Sequence, residues 1–167
     1  REIMVIVAHP EVPLAGLSHS DVRAIFSGQK VHWNEVGGKA TPIEVITRER
    51  GSSARLAFDA LVMEGQTMTS SARLGVNDGH LLDLVATIPG AIGYVPRSAL
   101  DGRVKMLAYD GAPPTPQAVK ANAYPLVTTV EFVTQEEPQG NARALLEWIL
   151  SDEGQDVVRR YMLGLND

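Results

Sequence analysis

Apolar positions along the chain fall into short runs whose period switches between that of a strand and that of a helix. Ile3 to Ala8 is a near-continuous apolar run, which predicts a buried strand ended by Pro10 and Pro13. Ser18, with Asp21 three residues on, marks a helix start, and Leu17, Val22, Ile25 and Phe26 supply its apolar face up to Gly28. Trp33 follows in a polar loop that closes at Gly37-Gly38. Pro42 to Thr47 predicts a second strand. Gly51-Ser52 begins a helix running to about Met63, with Leu56, Phe58, Leu61 and Val62 facing inward.

The same alternation continues to the end. Glu64 to Leu74 is polar and predicts a loop. Asp78 caps a helix through Leu81, Leu82, Leu84, Val85 and Ile88, stopped at Pro89-Gly90. Ala91 to Val95 and Val104 to Leu107 predict two more strands, and the prolines at 113, 114 and 116 confine Ala112 to Ala123 to a turn with one short helix. Leu126 to Thr134 alternates β-branched and polar residues and predicts a long strand. Gly140 to Leu150 predicts a helix with Leu145, Leu146, Trp148 and Ile149 on its core side, and Ser151 caps a last helix through Val157, Val158, Tyr161 and Met162. Strands alternating with helices predict an α/β fold with a mixed or mostly parallel sheet covered by helices.

Composition narrows the chemistry. The chain has 167 residues, enough for one substantial core, and no internal repeat or linker divides it. Its net charge of −5 argues against a nucleic-acid partner, which would need a basic surface. The chain has no cysteine, which excludes disulfides, thiolate metal sites and thiol nucleophiles. The four histidines (His9, His19, His32 and His80) show no metal-ligand spacing, and neither a G-x-S-x-G elbow nor a P-loop occurs. No apolar stretch is long enough for a transmembrane helix, and no secretory signal is present. The chain begins at Arg1 and not at Met, which suggests a mature product or a fragment.

One segment stands out against this acidic background. Arg48-Glu49-Arg50-Gly51-Ser52-Ser53-Ala54-Arg55 lies between a predicted strand and a predicted helix. A helix start presents backbone N–H groups without intrahelical partners, and a nearby guanidinium makes the place attractive to an anion. Gly51 suits a tight turn with positive φ, Ser52 can offer its hydroxyl and amide, and Ser53 and Ala54 can offer their amides. The plainer reading is that Ser52 is only an N-cap and that Arg48, Arg50 and Arg55 form a solvated face.

Several stretches together carry a family resemblance. Leu17 to Gly38, Arg48 to Phe58, Pro89 to Val95, Tyr124-Pro125-Leu126 and Leu150 to Gln155 resemble, in order, segments of the phosphate-binding proteins of ABC transporters, and Arg48 to Phe58 resembles their R-x-x-G-S-G-T-x-x-x-F anion loop. The resemblance implies a periplasmic-binding-protein-like fold, with two α/β lobes joined by crossover strands and an oxyanion held between them. Residues 9–125 would form the second lobe. Residues 1–8 and 126–167 would supply the crossovers and the C-terminal helices of an incomplete first lobe, the whole making a single binding-protein-like domain over 1–167.

The implied ligand is inorganic phosphate or a similar oxyanion, held by Arg48, Gly51, Ser52, Ser53 and Ala54 without cofactor or metal and without any covalent step. The implied partner is an ABC permease, and the implied location is periplasmic or extracellular. Two departures stand out: the long segment that such proteins carry ahead of the first crossover is missing, and the family's G-S-G-T reads Gly51-Ser52-Ser53-Ala54. Arg50 also replaces an acidic residue, which is expected to make the site more positive. His9, at the end of the first crossover, would either touch a ligand or mark the hinge end. The rival reading is a ligand-free interaction module that self-associates as a homodimer.

Overall fold

A computed structural model describes residues 1–165. In chain order its strands are β1 (Glu2–Ala8), β2 (Gly16–Leu17), β3 (Glu44–Arg48), β4 (Arg73–Gly75), β5 (Ala91–Pro96), β6 (Lys105–Tyr109) and β7 (Val127–Thr128). Its α-helices are α1 (His19–Phe26), α2 (Ser53–Phe58), α3 (Asp78–Thr87), α4 (Pro116–Lys120), α5 (Gly140–Leu150) and α6 (Asp152–Val158). The strands form one sheet in the order β2-β6-β1-β5-β3-β4, with β7 added at the start of β1. β1 runs antiparallel to β5, β6 and β7, whereas β3 is parallel to β4 and β5, so the sheet is mixed.

The core sits on β1, β3 and β5. Every residue from Ile3 to Ala8 is buried, which explains the unbroken apolar run of β1. An aromatic cluster ties α1 and α2 to β5: Phe58 stacks on Tyr94 at 4.0 Å between ring centroids, and Phe26 lies 4.5 Å from Phe58. Trp33 is fully buried in a short 3-10 turn, and its indole N–H donates to the Gly90 carbonyl at 2.9 Å, so its one polar atom is satisfied. Gly90 has φ +80°, and a Cβ there would lie 2.5 Å from the Pro42 carbonyl oxygen, so only glycine fits the close approach of these two loops. The Ser18 hydroxyl caps α1 by accepting from the Asp21 amide at 3.1 Å, and Ser151 caps α6 in the same way.

Four expectations need correction. The predicted long strand over 126–134 shrinks to Val127–Thr128. Its antiparallel register pairs Glu2 with Thr128 and Ile3 with Val127. The predicted loop over 64–74 ends in β4, a short edge strand parallel to β3. Leu56 is exposed, not inward, because it lies two residues, about 200° around α2, from the buried Phe58; past α2 a π-helical turn over Asp59–Met63 brings Val62 and Met63 to the core. On α5, Leu145 and Trp148 are exposed and only Leu146 and Ile149 are half-buried, because α5 packs chiefly on α6 and not on the sheet.

Candidate functional site

The parallel arm of the sheet delivers the key arginine. β3 lies between β4 and β5, and Arg48 is its last residue, at the carboxyl end where ligands of open α/β sheets collect. Asp78 opens α3 just past the carboxyl end of β4; the cap itself is Asn77, whose side chain accepts from the His80 amide at 2.8 Å. Arg48 and Asp78 therefore meet because two neighbouring parallel strands end together.

Arg48 is held on both sides. Its Nη1 donates to Asp78, and its Nε and Nη2 donate to the two oxygens of Glu49, each at 3.2 Å. Burial works against its charge, but the Glu49 hydrogen bonds and the attraction of Asp78 outweigh it, and the Arg48 pKa lies above its ordinary value. The same Arg48 hydrogen bonds hold the Glu49 carboxyl below the usual range. From behind, the Tyr94 hydroxyl accepts from the Arg48 amide at 3.3 Å and shares a hydrogen with Thr47 Oγ1 at 2.8 Å. Burial raises the Tyr94 pKa despite those two contacts, so the phenol stays neutral.

The turn after Arg48 uses some of its own donors. Glu49's carbonyl accepts from the Ser52 amide at 3.1 Å, and Ser52 Oγ accepts from the Arg55 amide at 3.1 Å, so Ser52 is the N-cap of α2. Ser53 and Ala54 carry the first two amides of the helix, and no carbonyl among the described residues accepts from them. Gly51 does not have positive φ, and a Cβ there would meet nothing within 4 Å, so the turn does not depend on glycine as expected.

These groups border a cleft of about 480 Å³. Arg48, Ser53 and Ala54 line one wall with Asp78, Leu56 and Ala57, and Glu2, Met4, Thr128, Thr129 and Val130 line the other. Of the five residues expected at the anion site, the fold thus brings Arg48, Ser53 and Ala54 to the cleft and leaves Gly51 and Ser52 just behind it. Arg50 borders a separate groove with Arg55, Asp59 and Gln66 and does not line the cleft. Arg55 is no solvated cation either. It is buried, its Nε reaches both Asp59 oxygens at 2.8 Å, and its Nη1 donates to the Arg48 carbonyl at 3.2 Å, which braces the turn from beneath. His9 lies away from the cleft lining, where its Nδ1 accepts from the Glu11 amide.

Sequence reasoning missed Asp78, Thr128 and Thr129. Asp78 read as a helix cap, and the Thr128-Thr129 pair read only as part of a strand. The signal available was the pair itself: two adjacent hydroxyls where a predicted crossover reaches the sheet. Among the described residues no cluster of His, Cys, Asp and Glu is placed to hold a metal.

The arrangement defines a class: an α/β lobe that presents a carboxylate-held arginine and free first-turn amides to a cleft beside its edge strands. A family model described as a PBP superfamily domain matches residues 2–153, and the chain belongs to that superfamily. It is 28% identical over 156 residues to the phosphate-binding protein PstS of Bacillus subtilis, covering 93% of this chain and 52% of that protein. It is 32% identical over 128 residues to phosphate-binding protein PstS 2 of Streptococcus agalactiae, covering 71% of this chain and 44% of that protein. The chain therefore spans about half the length of the curated relatives it matches.

Among solved structures, one described as a phosphate ABC transporter substrate-binding protein from Clostridium perfringens, with bound phosphate, superposes with a TM-score of 0.83 at 27% identity, over 98% of this chain and 69% of that one. An ABC-type phosphate transport receptor from Vibrio cholerae shares the fold, with a TM-score of 0.83 at 21% identity over 96% of this chain and 68% of that one.

Proposed function

We propose that this chain is a solute-binding lobe for an oxyanion, with phosphate as its ligand, working in ABC-type transport. The observation that carries this reading is the cleft itself: a charged, carboxylate-held Arg48 beside the unaccepted amides of Ser53 and Ala54. Backbone N–H groups and a guanidinium can seize a tetrahedral anion by charge-assisted hydrogen bonds. Asp78 and Glu49 together set two negative charges against the single charge of Arg48, which suits a small ion of low charge better than a highly charged one. Capture of this kind makes and breaks no bond, so the lobe is not an enzyme.

In this reading residues 9–125 form one lobe. Residues 1–8 and 126–167 form the crossovers and part of the other lobe, with 166 and 167 outside the described residues. Thr128 and Thr129 then approach the ligand from the crossover side. An ABC permease is the partner that takes the ion onward, and the protein works on the outer side of the cytoplasmic membrane, as a periplasmic or extracellular protein. No helix among the described residues is long and apolar enough to cross a membrane.

Titration calorimetry with millimolar inorganic phosphate tests the site. The chain binds weakly through this one wall of donors, and Arg48→Ala abolishes the signal. Binding that survives Arg48→Ala unchanged overturns the assignment.

A further inference from the structure

β1 carries a second cavity on its other face. Side chains alternate along a strand, so Glu2 and Met4 point to the cleft while Ile3 points away from it, into a cavity of about 550 Å³. Its walls bring together four cations from three elements distant in sequence. Arg97 follows β5, Lys120 is the last residue of α4, and Arg159 and Arg160 follow α6. Among the described residues eleven line it, and none of them is acidic. The chain as a whole has 20 acidic and 15 basic residues, so the gathering of four of those 15 cations around one cavity runs against the composition.

Three of these cations make no ion pair among the described residues. Arg159 reaches Asp156 at 2.8 Å, but among the described residues no carboxylate lies within ion-pair distance of Arg97, Lys120 or Arg160. All four are exposed, so each head group can turn into the cavity. Like charges around one cavity repel one another, and an anion among them relieves the repulsion. Gln117 adds an amide donor to the wall. The volume lies within the span of small-molecule sites, about 300–1,000 Å³, and exceeds what one tetrahedral ion fills. Guanidinium forks facing each other match phosphate oxygens two at a time.

The two sites differ in the charge they can accept. In the cleft, Asp78 and Glu49 already occupy Arg48, and a highly charged ion would be repelled by them. Behind β1 the described lining residues include no carboxylate, and Glu2 meets only Ser98 at its margin, at 3.5 Å. We infer that this rear cavity is a second anion site, separate from the cleft, for a small anion with two or more linked phosphate groups, bound by Arg97, Lys120, Arg159 and Arg160.

Titration of the full chain with sodium tripolyphosphate at low salt tests this. Wild type binds, and binding fades as sodium chloride rises to about 0.5 M. Reversing two exposed charges together, Arg97→Glu with Lys120→Glu, weakens tripolyphosphate binding about tenfold or more. Arg48→Ala leaves it unchanged. Circular dichroism checks that the double variant is folded; should it not be, Arg160→Glu alone carries the same comparison. No tripolyphosphate binding by the wild-type chain at millimolar concentration overturns the inference. So does binding that Arg48→Ala removes and the charge reversals leave intact. Because orthophosphate at the cleft is read separately through Arg48→Ala, either assignment can fail without the other.

Discussion

The sheet half of this molecule and its C-terminal half use apolar residues differently. Around β1, β3 and β5 the large side chains are closed off: Phe26, Phe58, Tyr94 and Trp33 are fully buried, and their polar atoms find partners. Past Thr128 the picture reverses. Val130, Phe132, Val133, Leu145, Trp148, Leu150 and Tyr161 are all exposed, and α5 contains no fully buried residue. The first half has a sheet to pack on; the second has mainly α5 against α6, joined so tightly that a Cβ on Gly154 would lie 2.0 Å from the Trp148 carbonyl oxygen. Similar shares of apolar residues thus give a core in one place and an open surface in the other, because burial needs a second layer and not just a hydrophobic face.

Substitutions can widen or collapse that contrast. Phe58→Ala removes the ring stacked on Tyr94 and should destabilise the chain by about 3–5 kcal/mol. Trp148→Ala, on the open surface, should cost less than about 1 kcal/mol. Urea unfolding of both variants checks the pair, and equal losses would mean that α5 is covered in solution. Next in size is Arg55→Ala, which leaves Asp59 and the Arg48 carbonyl without their donor. Asp59 is 40% exposed, so the loss should be about 3 kcal/mol, the low end for breaking a buried pair. It should also weaken phosphate binding, because the turn that presents Ser53 and Ala54 loses its brace; unchanged affinity would separate the turn from the core beneath it.

The smallest effect concerns pH. Glu49 is held below the ordinary carboxyl range by hydrogen bonds from Arg48, and Asp21, despite some burial, by its hydrogen bonds with Lys30 and Ser18. A depressed carboxyl pKa adds stability that is complete above the unfolded value and is lost as pH falls through the folded one. The melting temperature should therefore be flat above about pH 5 and decline below about pH 4, with Glu49→Gln removing part of the decline. A decline beginning near neutrality would point to the histidines instead.

Much of this was legible in the residues. The β1 run, the Ser18 cap of α1, Asp59–Val62 continuing from α2, the Pro89-Gly90 stop and the Ser151 cap all follow from local chemistry and stand in the structure. Arg48, Ser53 and Ala54 were legible because a strand, a turn and a helix start must place them together at one end of a sheet. Asp78 was not, because it comes from the next parallel unit, 30 residues on, and only the pairing of β4 with β3 brings it beside Arg48. Leu56 failed because it sits two residues, about 200° around the helix, from the buried Phe58 and so falls on the outer face.

By itself the sequence determined where chain segments curl or extend, since caps, prolines, glycines and apolar periods act over a few residues. It also placed Arg48, Ser53 and Ala54 at the turn between a strand and a helix. The tertiary structure alone decided which carboxylates hold Arg48, which cations share the cavity behind β1, and which apolar faces stay open. Those are contacts between residues far apart in the chain, fixed by which strand pairs with which, and no local pattern encodes a distant neighbour.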